Sequence, residues 1–115
     1  MERVHYAGHS VLTGTAIAHA LLDYAQALAL VGGSATVKIP TLNEDGSAGR
    51  SEILVGPSSQ LISDTEDSEH EDVIDETLVA RRRQEADQLR AHGTPSAVAA
   101  IPVDRSDRDW TDFDA

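Results

Sequence analysis

Residues 13–33 read TGTAIAHALLDYAQALALVGG, and this stretch decides the fold that the sequence predicts. Its interior is rich in alanine and leucine, Thr13 or Thr15 can cap its start, and Gly32-Gly33 can end it. At about 100° per residue, its apolar side chains gather on one face. The stretch therefore predicts an amphipathic helix, whose core-facing side chains are Ile17, Leu21, Tyr24, Ala25, Leu28 and Val31.

The apolar arc of this helix is wider than packing on one sheet face requires. Leu22 and Leu30 lie at or beyond the edges of the core-facing stripe. The helix is therefore expected to make a second contact, with another copy of itself or with the C-terminal helix. A core of about 60 residues is marginal on its own, which also favours a dimer or a docked C-terminal half.

Strand-like segments stand on both sides of the helix. Residues 3–12 (RVHYAGHSVL) predict one strand, which Gly8 bends or ends. Residues 35–40 (ATVKIP) and 50–56 (RSEILVG) predict two more strands. The turn between them carries Asp45-Gly46, a strong hairpin signal, so these two strands are expected to pair.

These patterns predict an α+β fold, with a compact β-α-β-β domain over residues 1–62 in which one helix packs on a three-stranded sheet. Residues 58–63 (SSQLIS) are open to interpretation as a turn or as a further edge strand. Beyond the domain, residues 63–72 predict an acidic linker, residues 73–92 a charged helix and residues 93–115 an extended acidic-aromatic tail.

The C-terminal helix has many charges and few apolar residues. Arg81 and Glu85, and likewise Arg83 and Asp87, are spaced as i,i+4 ion pairs. Its thin apolar seam, together with the edge residues of the first helix, forms the predicted interface. The residues of that interface are Leu22, Leu30, Ile74, Leu78 and Leu89.

The charge of the chain excludes several classes of function. The formal net charge is −11 over 115 residues, and residues 63–115 carry fifteen acids against six arginines. DNA phosphates and anionic membrane surfaces repel such a chain, so no direct nucleic-acid binding is expected. Without cysteine, disulfides, thiolate metal sites and cysteine nucleophiles are excluded.

The remaining features favour a cytoplasmic protein without a cofactor. No apolar run reaches the roughly 18 residues that a membrane span needs, so no membrane association is expected. The N-terminal residues MERVHYAGHS do not form a signal-peptide pattern. No motif for a catalytic nucleophile or a phosphate-binding loop stands out, so the protein is not expected to be an enzyme.

The tail holds the only tryptophan and the only phenylalanine of the chain. The two rings are three residues apart, so they share one face if the segment becomes helical on binding. Aromatic anchors among carboxylates predict a short binding motif that enters a groove with a basic rim. The target is a partner protein, or this protein's own small core or surface, in the same or another subunit. The predicted partner-binding residues are Trp110, Phe113, Asp109, Asp112 and Asp114.

A second set of polar residues offers a metal or ligand site as an alternative. His5 and His9 flank a glycine, and His19 and Asp23 have the i,i+4 spacing that can present two ligands to one metal. No HExxH or similar signature accompanies them. The simpler interpretation of His19 and Asp23 is a surface hydrogen-bonded pair, so no metal is expected.

The order helix, strand, glycine-containing turn, strand, Pro57-Ser58 stop and acidic extension resembles the layout of Phd/YefM-type antitoxins. The resemblance covers residues 15–65 and is one of layout, without a shared motif. It implies a small α/β domain that dimerises and an extended C-terminal part that wraps a toxin.

Three functional hypotheses follow. The first is a small non-enzymatic protein–protein interaction module, dimeric, that uses its acidic-aromatic extension to contact a partner or its own subunits, as an antitoxin or an adaptor does. The second is a small ligand- or metal-binding domain that uses the N-terminal histidines. The third is a structural small subunit of a larger assembly.

Overall fold

The computed structural model describes residues 1–92, and the predicted tail at 93–115 lies outside them. Over the described residues the chain is α+β, as predicted. Its elements are β1 (Glu2–Tyr6), β2 (His9–Thr13), α1 (Thr15–Leu30), β3 (Ala35–Leu42), β4 (Ala48–Val55), β5 (Ile62–Thr65) and α2 (Glu76–His92).

The strands form one five-stranded antiparallel sheet in the order β4-β3-β2-β1-β5. Two hairpins build most of it: β1 pairs with β2, and β3 pairs with β4 along their whole length. The hairpins join at a single bridge, between Leu12 and Leu42. The predicted β3–β4 hairpin is therefore part of a sheet larger than the three strands expected.

The segment predicted as one strand over residues 3–12 is a hairpin. Ala7 and Gly8 connect β1 to β2, and their φ angles are 51° and 83°. Two consecutive residues with positive φ match the twist of a two-residue hairpin turn, so the chain reverses instead of bending. The turn makes β2 a separate strand, the first of the two strands that the prediction lacked.

The fifth strand begins in residues 58–63, the segment for which the sequence allowed either a turn or a further edge strand. β5 pairs with β1, with Val4 opposite Ser63. It covers the first residues of the segment predicted as an acidic linker. Just beyond it, Glu66 accepts a hydrogen bond of 2.7 Å from the Nε of Arg3, which holds the chain against β1. This contact also lowers the pKa of Glu66 below its usual value.

Helix α1 covers the sheet with the side chains that its periodicity predicts. Ile17 and Leu21 are almost completely buried, beside Val37 and Val55 of the sheet. Gly32, with φ of 68°, follows the helix and allows the chain to turn away, as expected. The start differs from the prediction, because Gly14 is the N-cap residue and makes no side-chain hydrogen bond.

Helix α2 packs against α1 and provides the second contact that the wide apolar arc of α1 predicts. Ala86 is fully buried between the two helices and the core. The chain just before α2 crosses the start of α1, where the backbone N–H of Thr15 donates a hydrogen bond of 3.3 Å to the carboxylate of Asp72. Neither α1 nor α2 is long and apolar enough to cross a membrane, and the described residues contain no other helix.

Candidate interaction surface

The polar side chains of β3 and β4 point away from the core. Lys38 lies directly opposite Glu52 in the pairing of the two strands, and Thr36 lies opposite Leu54. All four side chains are exposed. Leu54 is 61% exposed, which is unusual for a large apolar residue of a strand. This outward surface of the hairpin is a candidate for contact with another molecule.

The first turns of α2 run beside this surface and form a cleft with it. The cleft has a volume of ≈ 380 Å³. We call it the basic cleft, and it is lined by Thr36, Lys38, Arg50, Glu52, Asp75, Thr77, Leu78, Arg81 and Arg82. Three separate elements therefore contribute to one concave surface.

The bases of this cleft are distinguished from the other bases of the described chain. Within residues 1–92, every lysine and arginine except Lys38, Arg50 and Arg81 lies within salt-bridge distance of a carboxylate. Those three line the basic cleft together, and all three are exposed. In a chain with a net charge of −11, the lysine and the arginines without a close carboxylate in the described part of the structure are thus gathered in one place.

The two acids of the cleft have different roles. Asp75 accepts a hydrogen bond of 3.1 Å from the backbone N–H of Leu78, so its carboxylate stabilises the start of α2. Glu52 is the cross-strand neighbour of Lys38 and balances part of its charge. The cleft therefore keeps a positive excess, which favours a carboxylate-bearing ligand.

Arg82 forms the inner wall of the cleft. Its guanidinium lies 5.3 Å from the centroid of the Tyr24 ring and donates a hydrogen bond of 2.6 Å to Glu85. The Nε of Arg82 is buried and has no hydrogen-bond partner among the described residues. Burial raises the pKa of the Tyr24 hydroxyl, and the charge of Glu85 adds to the effect while that of Arg82 opposes it.

The ion pairs predicted along α2 are replaced by others. Glu85 pairs with Arg82, three residues away, and not with Arg81. Arg83 lies 3.7 Å from Asp23 of α1, and Asp87 lies 3.8 Å from Arg90. Arg81 therefore lines the basic cleft without the salt bridge to Glu85 that the i,i+4 spacing predicted.

The predicted interface residues are divided between the inside and the outside of the structure. Leu78 and Leu89 pack against this chain's own core. Leu22 is half-buried. Leu30 is 70% exposed and Ile74 65% exposed, which leaves these two accessible to another molecule.

The histidines considered for a metal site do not converge. His5 and His9 occupy opposite faces of the sheet, since His5 pairs with Ser10 and Tyr6 pairs with His9 in the register of β1 and β2. The Nε2 of His5 lies 3.1 Å from Asp64. Asp23 contacts Arg90 at 2.6 Å instead of pairing with His19. Residues 1–92 contain no group of three potential ligands that could hold a metal ion.

The predicted partner-binding residues of the tail, Trp110, Phe113, Asp109, Asp112 and Asp114, lie outside the described residues.

The basic cleft was missed by sequence reasoning. The available signal was the group of Arg81 to Arg83, which contains more bases than its own helix can neutralise at close range.

Comparisons of the chain with protein-family models, with curated proteins and with solved structures gave no match. The likeness to Phd/YefM-type antitoxins therefore stays a hypothesis of layout. The β1–β2 hairpin lies entirely before residue 15, ahead of the part of the chain to which that layout applies.

Proposed function

We propose that the protein is a small non-enzymatic interaction protein whose acidic-aromatic tail contacts a protein, either a partner or another copy of this chain. The observation that carries the proposal is the composition of the core. Among residues 1–92 the buried cluster consists of aliphatic side chains and Tyr24, each no more than 8% exposed. We assign Trp110 and Phe113 to a binding surface and not to this cluster, as aromatic anchors among carboxylates.

The exposed apolar residues support the same function. Leu30, Leu54, Ile62 and Ile74 are each more than half exposed. Leu30, Leu54 and Ile62 belong to α1, β4 and β5, and Ile74 precedes α2. Association with a second copy through Leu30 and Ile74 gives these residues a function and agrees with the predicted dimer.

A photoreactive phenylalanine analogue placed at position 113 tests the proposal in the cells of origin. We expect irradiation to join the chain covalently to a protein, with loss of the product when Trp110 is replaced by alanine. The same analogue at Ser47, which is exposed in the β3–β4 turn, serves as the control. The proposal is wrong if position 113 gives no more product than position 47, or if the alanine variant leaves the product unchanged.

A further inference from the structure

The basic cleft and the tail carry opposite charges within one chain. Residues 104–114, DRSDRDWTDFD, contain five aspartates against two arginines. The cleft presents Lys38, Arg50 and Arg81, the lysine and the two arginines of the described chain that have no carboxylate within salt-bridge distance. Each charge is exposed, so single pairs are weak, and a ligand with several carboxylates is needed to use all three bases.

The cleft also offers apolar contacts for aromatic anchors. Leu78 is half-buried in its wall. Leu54 is exposed and lies opposite Thr36, which lines the cleft. A segment that places its carboxylates on the bases can therefore lay its rings against leucine side chains, and the tail has both kinds of residue within four positions of each other.

The length of the chain allows the two parts of one molecule to meet. Residues 75–82 line the cleft, and α2 continues to His92, which lies roughly 15–25 Å farther along the helix. Asp104 follows His92 by twelve residues, enough for an extended chain to span up to about 40 Å. Tethering at this distance corresponds to an effective concentration on the order of millimolar, which favours occupation by the same molecule.

We propose that residues 104–114 bind in the basic cleft of their own chain, with aspartates on Lys38, Arg50 and Arg81 and the aromatic rings beside Leu54 and Leu78. This inference rests on the proposed function, because it treats the tail as a binding element. It adds a self-inhibited state, in which a partner with a basic surface must compete with the cleft for the tail. High salt weakens the docked state, because the Debye screening length falls from about 8 Å at physiological ionic strength to about 3 Å at 1 M.

Acrylamide quenching of Trp110 fluorescence in the full chain tests the inference, because this is the only tryptophan. A peptide of residues 94–115 gives the reference for a free tail. We expect a blue-shifted emission and a smaller quenching constant in the intact protein, and loss of both in the triple variant Lys38→Gln, Arg50→Gln, Arg81→Gln. The control is Arg83→Gln, on the same helix but beside Asp23, and it is expected to keep the protection. Circular dichroism melting verifies that each variant is folded.

Three results would overturn the inference. Quenching of the intact protein at the level of the free peptide excludes docking. Protection that survives in the triple variant places the tail elsewhere, and protection that disappears on dilution assigns it to a second copy. None of these removes the photocrosslink expected at position 113, so the inference can fail while the proposed function holds. If the crosslink is lost but cleft-dependent protection remains, the tail binds only its own chain.

Discussion

Replacement of Gly14 by alanine is expected to lower the free energy of unfolding by about 3 kcal/mol. A Cβ atom at this position would lie 1.8 Å from the carbonyl oxygen of Val73 and 3.2 Å from the carboxylate of Asp72. The nearest obstacle is backbone, which cannot rotate away as a side chain can. The segment that crosses the start of α1 must therefore move, with loss of the hydrogen bond between Thr15 and Asp72.

Urea unfolding followed by circular dichroism measures this change. The control is Gly56→Ala, whose added Cβ would meet only the Cβ of Ser34 at an ordinary distance of 3.6 Å. We expect that control to stay within about 0.5 kcal/mol of the unaltered protein. Equal stability of the two alanine variants would show that the chain before α2 does not lie against Gly14.

Replacement of Glu2 by leucine is expected to cost about 3 kcal/mol, because three hydroxyl groups lose their acceptor. Glu2 is only 4% exposed. Its carboxylate accepts hydrogen bonds from Ser63 at 3.1 Å, from Thr65 at 3.1 Å and from Thr15 at 3.5 Å. The side chain therefore connects β1, β5 and α1 through one buried acid.

A double-mutant cycle separates this hydrogen-bond loss from a change in packing. When Thr65→Val is combined with Glu2→Leu, the cost should be less than the sum of the two single costs, because one orphaned hydroxyl is removed. The control Glu52→Leu, at an exposed position of β4, is expected to change stability by no more than about 0.5 kcal/mol. Strict additivity in the cycle would contradict the hydrogen-bonded arrangement.

The parts of the fold that the sequence predicts are those encoded by local signals. The periodicity of Ile17, Leu21 and Leu28 predicts α1 and its buried face, and Asp45-Gly46 predicts the β3–β4 hairpin. The β1–β2 turn escapes such a prediction, because Ala7 has positive φ, a conformation that alanine rarely adopts.

The remaining features depend on contacts between distant segments. Strand β5 has no alternating apolar pattern, and its position depends on Glu2, a buried acid some 60 residues earlier in the chain. The basic cleft joins Lys38, Arg50 and Arg81 from three elements, so no spacing in the sequence relates them. The positive charge of the cleft was not predicted, because the i,i+4 spacing assigns Glu85 to Arg81, whereas in the structure Glu85 pairs with Arg82.

The most direct test of the central claim is the stability of a chain that ends at Thr94. The proposed function assigns Trp110 and Phe113 to a binding surface and not to the buried cluster of residues 1–92. We therefore expect urea unfolding of the shortened chain to give a free energy no more than about 1.5 kcal/mol below that of the full chain, which is the stabilisation that a tail docked in the basic cleft supplies. A loss of about 3 kcal/mol or more, the cost of removing a large buried aromatic side chain, would show that Trp110 or Phe113 belongs to the core and is not available for binding.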